Sequence, residues 1–464
     1  MSGAFGRRPN AGTLTVYTGI QLQTSAQGIA VPVYYGTQRD GVNLLWYAGF
    51  NATRSGGHGK GGALGAGTGK GAGAVTTYSY TADVILGIGE GPIQGYGQAW
   101  ASKTPSSLSA LGLTAFTGTY PQAPWSFVTA NFSADARPYT GLAYLAAANY
   151  KLGSMAELPQ HTFEVYGIFS QRSVYTTATI PASGVRQITV GSRTWADGSA
   201  NSMWVADVAV PGFTKVGGAP NAGQYSVAAG VYTFNAADGG TSITIQWTGK
   251  GQDADPALVV NDILTNANYG VGVPSSRVGE LNAYTETDVI PGLPYQVTVA
   301  QAATFDDNLS VYESSTGTLF TCVASSPGPL QYSYSAGTYT FNAADAGKSL
   351  DISYAALAPG TLPTFQAYCW ASGFFISPAY RQQQSGATLL DEIAKFTNSE
   401  VVATAGAIKL VPRGDKALSA NGYTYTPPAV TVVDLTDDNF QANAVGGGAS
   451  GAVAGTDPVL ITRK

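Results

Sequence analysis

Two histidines, His58 and His161, are all the imidazole this 464-residue chain contains. A Ser- or Cys-based hydrolase needs such a ring oriented beside its nucleophile. His58 lies in a run of glycine and alanine, where nothing would orient it. His161 begins the run His161-Thr162-Phe163-Glu164-Val165 and shares a strand face with Phe163 and Val165. It reads as a packed residue at the start of a strand rather than a general base. No Gly-Xaa-Ser-Xaa-Gly elbow is present.

Close carboxylates occur at Asp253/Asp255, Asp306/Asp307, Asp391/Glu392 and Asp437/Asp438. A glycosidase needs two such groups facing each other across a cleft, whereas caps, turns and solvated helix faces account for each pair locally. Gly59-Lys60 and Gly69-Lys70 invite a phosphate-loop reading, which fails on both sides. Arg54 and Leu64 stand where the first glycine should be, and Gly61 and Gly71 replace the hydroxyl residue. Asp197-Gly198-Ser199-Ala200-Asn201 starts like a calcium loop but lacks its sixth-position glycine and twelfth-position glutamate, so it reads as a turn. Cys322 and Cys369 make neither a disulfide framework nor a zinc site, and both are expected to be free, buried thiols. Tyr225, Tyr232, Phe234 and Trp247, with Tyr332, Tyr339, Phe341 and Tyr354, could line a sugar-binding face. Their alternation fits the core of a β module better. No catalytic, cofactor-binding or metal-ligating residue is assigned, and no cofactor is expected.

The composition suits a structural part. Charged residues are 11 % against about 25 % in ordinary globular chains, and Gly (59) and Tyr (27) abound. A surface so poor in charge is a poor solubiliser and is expected to be covered by neighbours in an assembly. A net charge of −5 lacks the basic footprint of a nucleic-acid binder. No apolar run approaches the roughly 20 residues of a membrane span, and Arg7-Arg8 is not followed by a signal-peptide core. Stable membrane insertion is not expected, and assembly in a cytoplasm is.

The elements that would position these groups are mainly strands, with a minor helical part. The chain contains one internal repeat. Tyr232-Thr233-Phe234-Asn235-Ala236-Ala237-Asp238 recurs as Tyr339-Thr340-Phe341-Asn342-Ala343-Ala344-Asp345, offset by 107. The likeness continues upstream through Gln224-Tyr225-Ser226 and Gln331-Tyr332-Ser333. Downstream, Ile243 to Trp247 mirrors Leu350 to Tyr354. Two copies are too few for a solenoid, so two small β-sandwich or β-barrel modules inserted into a host are expected. In the host, Asp255-Pro256 reads as an N-cap and first-turn proline of a helix ending near Asn266. Further helices are expected over Phe365 to Ser372 and around Leu389 to Phe396, then a hairpin through Val401-Val402-Ala403-Thr404 and Ile408-Lys409-Leu410-Val411.

One stretch ties these parts together. Tyr78, Tyr80, Ala82, Val84, Leu86 and Ile88 alternate as in a half-buried strand, which runs into the turn Gly89-Glu90-Gly91-Pro92-Ile93-Gln94-Gly95. A Gly/Ala arm from Gly56 to Ala74 precedes it. This order resembles the start of phage tail-tip and baseplate hub proteins, the lambda-type tip attachment protein and the hub of gene transfer agents. Leu158 to Val165, Pro256 to Gly270, Tyr368-Cys369 through Pro378, Leu389 to Pro412, and Tyr425 through Asp438 are similar to later parts of that family. The likeness covers about 300 of the 464 residues and rests on the order of the motifs.

The resemblance implies a structural, non-enzymatic hub at the distal end of a long tail. Such a hub is a homotrimer that joins the tail tube (distal tail) protein to tip and fibre proteins and leaves a channel for DNA. The alternative from the residues is an adhesin whose repeated modules bind host cell-surface glycans. The expected division is 1–75 extension and arm, 76–175 hub β domain, 176–250 first module, 251–290 helical segment, 291–361 second module, and 362–464 a hub α/β segment with the start of a further β domain. The run Asp457-Pro458-Val459-Leu460-Ile461 is expected to be an incomplete strand, continued in a longer product or completed by another polypeptide.

Overall fold

The computed structural model describes residues 17–20, 30–55, 77–196, 198–404 and 407–427. The arm with His58 and both Gly-Lys pairs, Asp197, Asp437/Asp438 and the run 457–464 lie outside them. Among the described residues the fold is mainly β with four short α-helices.

The alternating strand Thr77–Glu90 sits inside a four-stranded sheet of order Asn43–Ser55, Thr77–Glu90, Leu142–Gly153, Thr114–Thr117. A second sheet, ordered Thr37–Asp40, His161–Tyr166, Gly95–Ala101, Thr104–Ser106, packs against it. Tyr80, Ala82, Val84, Leu86 and Ile88 meet Ala99, Phe163 and Val165 in their shared core. The alternation predicts a half-buried strand, but residues 82–89 are buried on both faces. The reason is the helix Ser126–Asn131 with its N-cap Trp125: Trp125 and Val128 cover Ile85 on the other side.

The repeats are two β-sandwiches of one topology. In the first, the sheet Arg172–Thr179, Ser242–Gly249, Trp204–Ala209 faces the sheet Gln187–Thr189, Val231–Phe234, Gln224–Ala228, Thr214–Lys215. In the second, the sheet Gly279–Val289, Ser349–Pro359, Phe305–Glu313 faces the sheet Gln296–Thr298, Thr338–Phe341, Gln331–Ser335, Thr321–Cys322. Even the irregularities match. The edge strand bulges between Trp204/Ala206 and Asp207/Ala209 in one copy, and between Phe305/Asp307 and Asn308/Ser310 in the other. Such bulges twist an edge away from stray pairing.

Each sandwich begins earlier than its sequence suggests. The strand Arg172–Thr179 pairs with Ser242–Gly249 along its whole length, and Gly279–Val289 pairs likewise with Ser349–Pro359. Residues 279–290, assigned to the helical segment, therefore belong largely to the second sandwich's sheet. The reason is that a strand entering from the host carries no change in composition.

The helical part closes around one core. Helix Pro256–Thr265 starts on Asp255, whose carboxylate accepts from the Ala257 amide at 2.9 Å, with proline in its first turn. Helix Pro363–Ser372 starts before the expected Phe365, again on a proline, and ends at Gly373 in the left-handed region. Helix Gly386–Phe396 is capped by Ser385. Their buried faces (Val260, Ile263, Phe365, Cys369, Leu390, Ile393) pack with Val33 and Tyr35 from the N-terminal side and Leu410 from the hairpin Ser399–Thr404/Ala407–Pro412. Chain from before, between and after the sandwiches thus builds a single core. Among the described residues no helix is long and apolar enough to cross a membrane.

Candidate functional site at the module roots

Three buried acids, Asp255, Glu280 and Glu164, lie where the sandwiches meet the host, and there they hold backbone and neighbours in place. Asp255 is 2 % exposed. Besides capping its own helix it accepts from Gln366 Nε2 at 2.5 Å and Trp370 Nε1 at 2.8 Å, so it ties the chain before the second sandwich to the helix after it. Glu280, also buried, accepts from the Thr364 and Phe365 amides at 2.9 and 3.1 Å. It caps a helix whose N-cap residue, Leu362, offers no side-chain oxygen. Glu164 accepts from the Gln98 amide at 3.1 Å and pairs with Arg193 of the first sandwich at 2.8 Å.

Arg172, at the base of the first sandwich, donates from Nε to the Asp253 carbonyl at 3.0 Å and lies 3.6 Å above the Phe375 ring. Burial lowers its pKa, and the nearby Asp253 and Asp255 oppose that shift. Asp262 gathers the hydroxyls of Tyr35 and Tyr269 at 2.5 and 2.7 Å. Burial and the adjacent carboxylate push both phenols well above their ordinary range.

The predicted candidates do not converge. Asp253 and Asp255 take separate partners, Ser377 and the Ala257–Trp370 set. Asp306 and Asp307 sit exposed on an edge strand, with Asp307 accepting from Tyr334 at 2.8 Å. Asp391 pairs with Lys395 at 2.6 Å on a solvated helix face. His161 starts its strand beside the Tyr150 hydroxyl, and partial burial lowers its pKa. All eight aromatics named for a glycan face are buried in the sandwich cores.

Cys369 is fully buried, which pushes its thiol pKa up. Cys322, expected to be buried, is exposed, because its two-residue strand forms the rim of a sheet. Among the described residues no cluster of His, Cys, Asp and Glu has the arrangement of a metal site. A hollow of about 660 Å³ beside helix Gly386–Phe396 contains acids already paired with Lys395 and Arg413.

Sequence reading found Asp255 through its Asp-Pro cap and missed Glu280, Glu164 and Asp262. The partners of Glu280 and Glu164 are distant in sequence, and Asp262, though near Tyr269, reaches Tyr35 only across 227 residues, so no spacing announces these sites. The arrangement braces joints.

No family model matches the chain, and no curated protein matches it. Among solved structures, a chain from the virion of a native gene transfer agent particle is similar at 21 % identity over 34 % of this chain, with a TM-score of 0.24. The alignment covers 32 % of that neighbour, about a third of its length, and a likeness so slight carries no argument about role.

Proposed function

We propose that the chain is a structural virion component, the hub at the distal end of a long non-contractile tail. One observation carries this reading. One host core is closed from segments lying before, between and after two sandwiches, and buried carboxylates hold the joints. That is the construction of a platform bearing projecting parts. The ordered motifs of Thr77–Glu90, Pro256–Thr265 and Gly386–Pro412 supply the likeness to tail-tip hubs.

In this role three copies surround the tail axis, since closed cyclic symmetry suits a part that caps a tube. They join the tail tube protein to tip and fibre proteins, and the acidic balance of the chain lets DNA pass without gripping it. The adhesin reading loses its residues, because the aromatics proposed for it are core. Gold-labelled antibody against the second sandwich should mark the distal tail end of purified particles, and isolated tips should contain three copies. Label on the head or along the shaft would sink the proposal.

A further inference from the structure

The two sandwiches are attached in different ways. The first has an extra hairpin, Ser192–Thr194 with Ala200–Ser202, that reaches back to the host. From it Arg193 pairs with buried Glu164, and Asn201 Nδ2 donates to the Tyr166 hydroxyl at 3.3 Å. Tyr166 is a host strand residue, yet it packs inside the core of the first sandwich. Arg172 adds its stacking on Phe375 at the base.

The second sandwich lacks that hairpin. Among the described residues, every side-chain hydrogen bond, ion pair and ring contact of residues 283–355 has both partners within that range. Its core draws on residues 284–356 alone. It joins the host through a two-stranded ribbon. Glu280 pairs with Ala358 and is clamped to the helix below, and the third strand first joins at Phe305 opposite Ala356. Both ends of the ribbon are glycines in conformations that favour glycine: Gly279 at φ +154° and Gly360 at φ +68°.

We infer that the second sandwich swings on this ribbon, while the Arg193 hairpin latches the first sandwich to the host. The molecule thus carries one fixed and one mobile arm of the same fold. Two-stranded ribbons twist readily, and a joint with few packed contacts opens at low cost. The latch rests on a pair whose cation is half exposed (Arg193 side chain 46 %), so it weakens as salt rises.

Spin labels on the full chain test this, with Cys322→Ser removing the exposed thiol. A host label at Ala130→Cys is paired with Ala219→Cys in the first sandwich or with Ser326→Cys at the matching place in the second. Pulsed dipolar spectroscopy should give a distance distribution about twofold broader for the second pair than for the first. Arg193→Ala with Asn201→Ala should broaden the first distribution and leave the second unchanged, and about 1 M salt should act on the unmodified latch in the same direction. Equal widths before any latch substitution would overturn the hinge. A first-sandwich distribution unmoved by both the substitutions and salt would overturn the latch.

Discussion

Asp207 and Lys215 in the first sandwich stand where Asn308 and Cys322 stand in the second. The strand registers fix the match: Asp207 lies opposite Trp247 as Asn308 lies opposite Tyr354, and Lys215 opposite Tyr225 as Cys322 opposite Tyr332. In the first copy the buried carboxylate accepts from Tyr225 and Tyr232 at 3.0 and 2.8 Å and pairs with Lys215 at 2.8 Å. In the second, Asn308 Nδ2 donates to Tyr332 at 2.7 Å, leaving Asn308 Oδ1 and the Tyr339 hydroxyl buried without partners. One topology therefore accepts a charged or a neutral centre, with cation and anion replaced together. What the copies keep in common is the turn. Asn235 and Asn342 donate to the carbonyls of Pro220 and Pro327, and Asp238 and Asp345 accept from the amides of Gly223 and Leu330. The repeated Asn-Ala-Ala-Asp motif is a clamp across each sandwich.

The shared core gives the largest effect. Trp247 is 4 % exposed and donates to Thr176 Oγ1 at 3.0 Å, and Tyr354 is wholly buried at the matching site. Trp247→Ala and Tyr354→Ala should each destabilise their own sandwich by about 3–5 kcal/mol, read as a lost or lowered thermal transition. A variant with an unchanged transition would break the equivalence of the two cores.

Removing whole sandwiches separates latched from hinged. Joining Glu280 to Ala358 through a short Gly/Ser link should leave host unfolding where it was. Joining Arg172 to Gly249 in the same way uncovers Tyr166 and should lower host stability by about 2 kcal/mol. Calorimetry of the two deletions decides this, and equal host losses would remove the distinction.

How much of this was legible in the sequence follows from the range of each interaction. The repeat, the Asp255-Pro256 helix start and the hairpin at Val401–Val411 are encoded by neighbours a few residues apart, and each lies where its spacing predicts. Alternating strands announce two small β modules, sandwich or barrel, but which strands pair is set by chain distant in sequence. The starts at Arg172 and Gly279, the double covering of residues 82–89 and the exposure of Cys322 depend on chain more distant in sequence. The joint-bracing acids were hidden for the same reason: Glu280 finds its amides 84 and 85 residues on. Local spacing reads elements and cores well, and reads tertiary polar partnerships poorly.

The paired replacement at 207/215 predicts coupling. Lys215→Cys alone deprives a carboxylate whose side chain is 3 % exposed of its cation. It should cost about 1–3 kcal/mol, tempered because Lys215 itself is half exposed and two tyrosines still donate. Adding Asp207→Asn should restore part of that loss, a non-additivity expected of contacting residues. In the second sandwich, Asn308→Asp with Cys322→Lys should be better tolerated than Asn308→Asp alone. Denaturant midpoints of these variants and of the remaining singles, Asp207→Asn and Cys322→Lys, measure the couplings, and strictly additive values would show that the two positions changed independently.

The smallest difference concerns a single backbone angle. Gly223 and Leu330 occupy matching places, each donating its amide to the clamp aspartate, and both are left-handed, at φ +72° and +60°. Glycine adopts that conformation freely, whereas an L side chain costs about 1–2 kcal/mol there. Leu330 is 38 % exposed, so it recovers little of that cost by packing. Leu330→Gly should stabilise the second sandwich by up to about 1 kcal/mol, since relief of strain is partly offset by the freer unfolded chain. The reverse change, Gly223→Leu, should weaken the first by about 1–2 kcal/mol. If Leu330→Gly instead destabilises, Leu330 makes contacts worth more than its strain, and the second sandwich is tuned at this turn rather than merely tolerant of it.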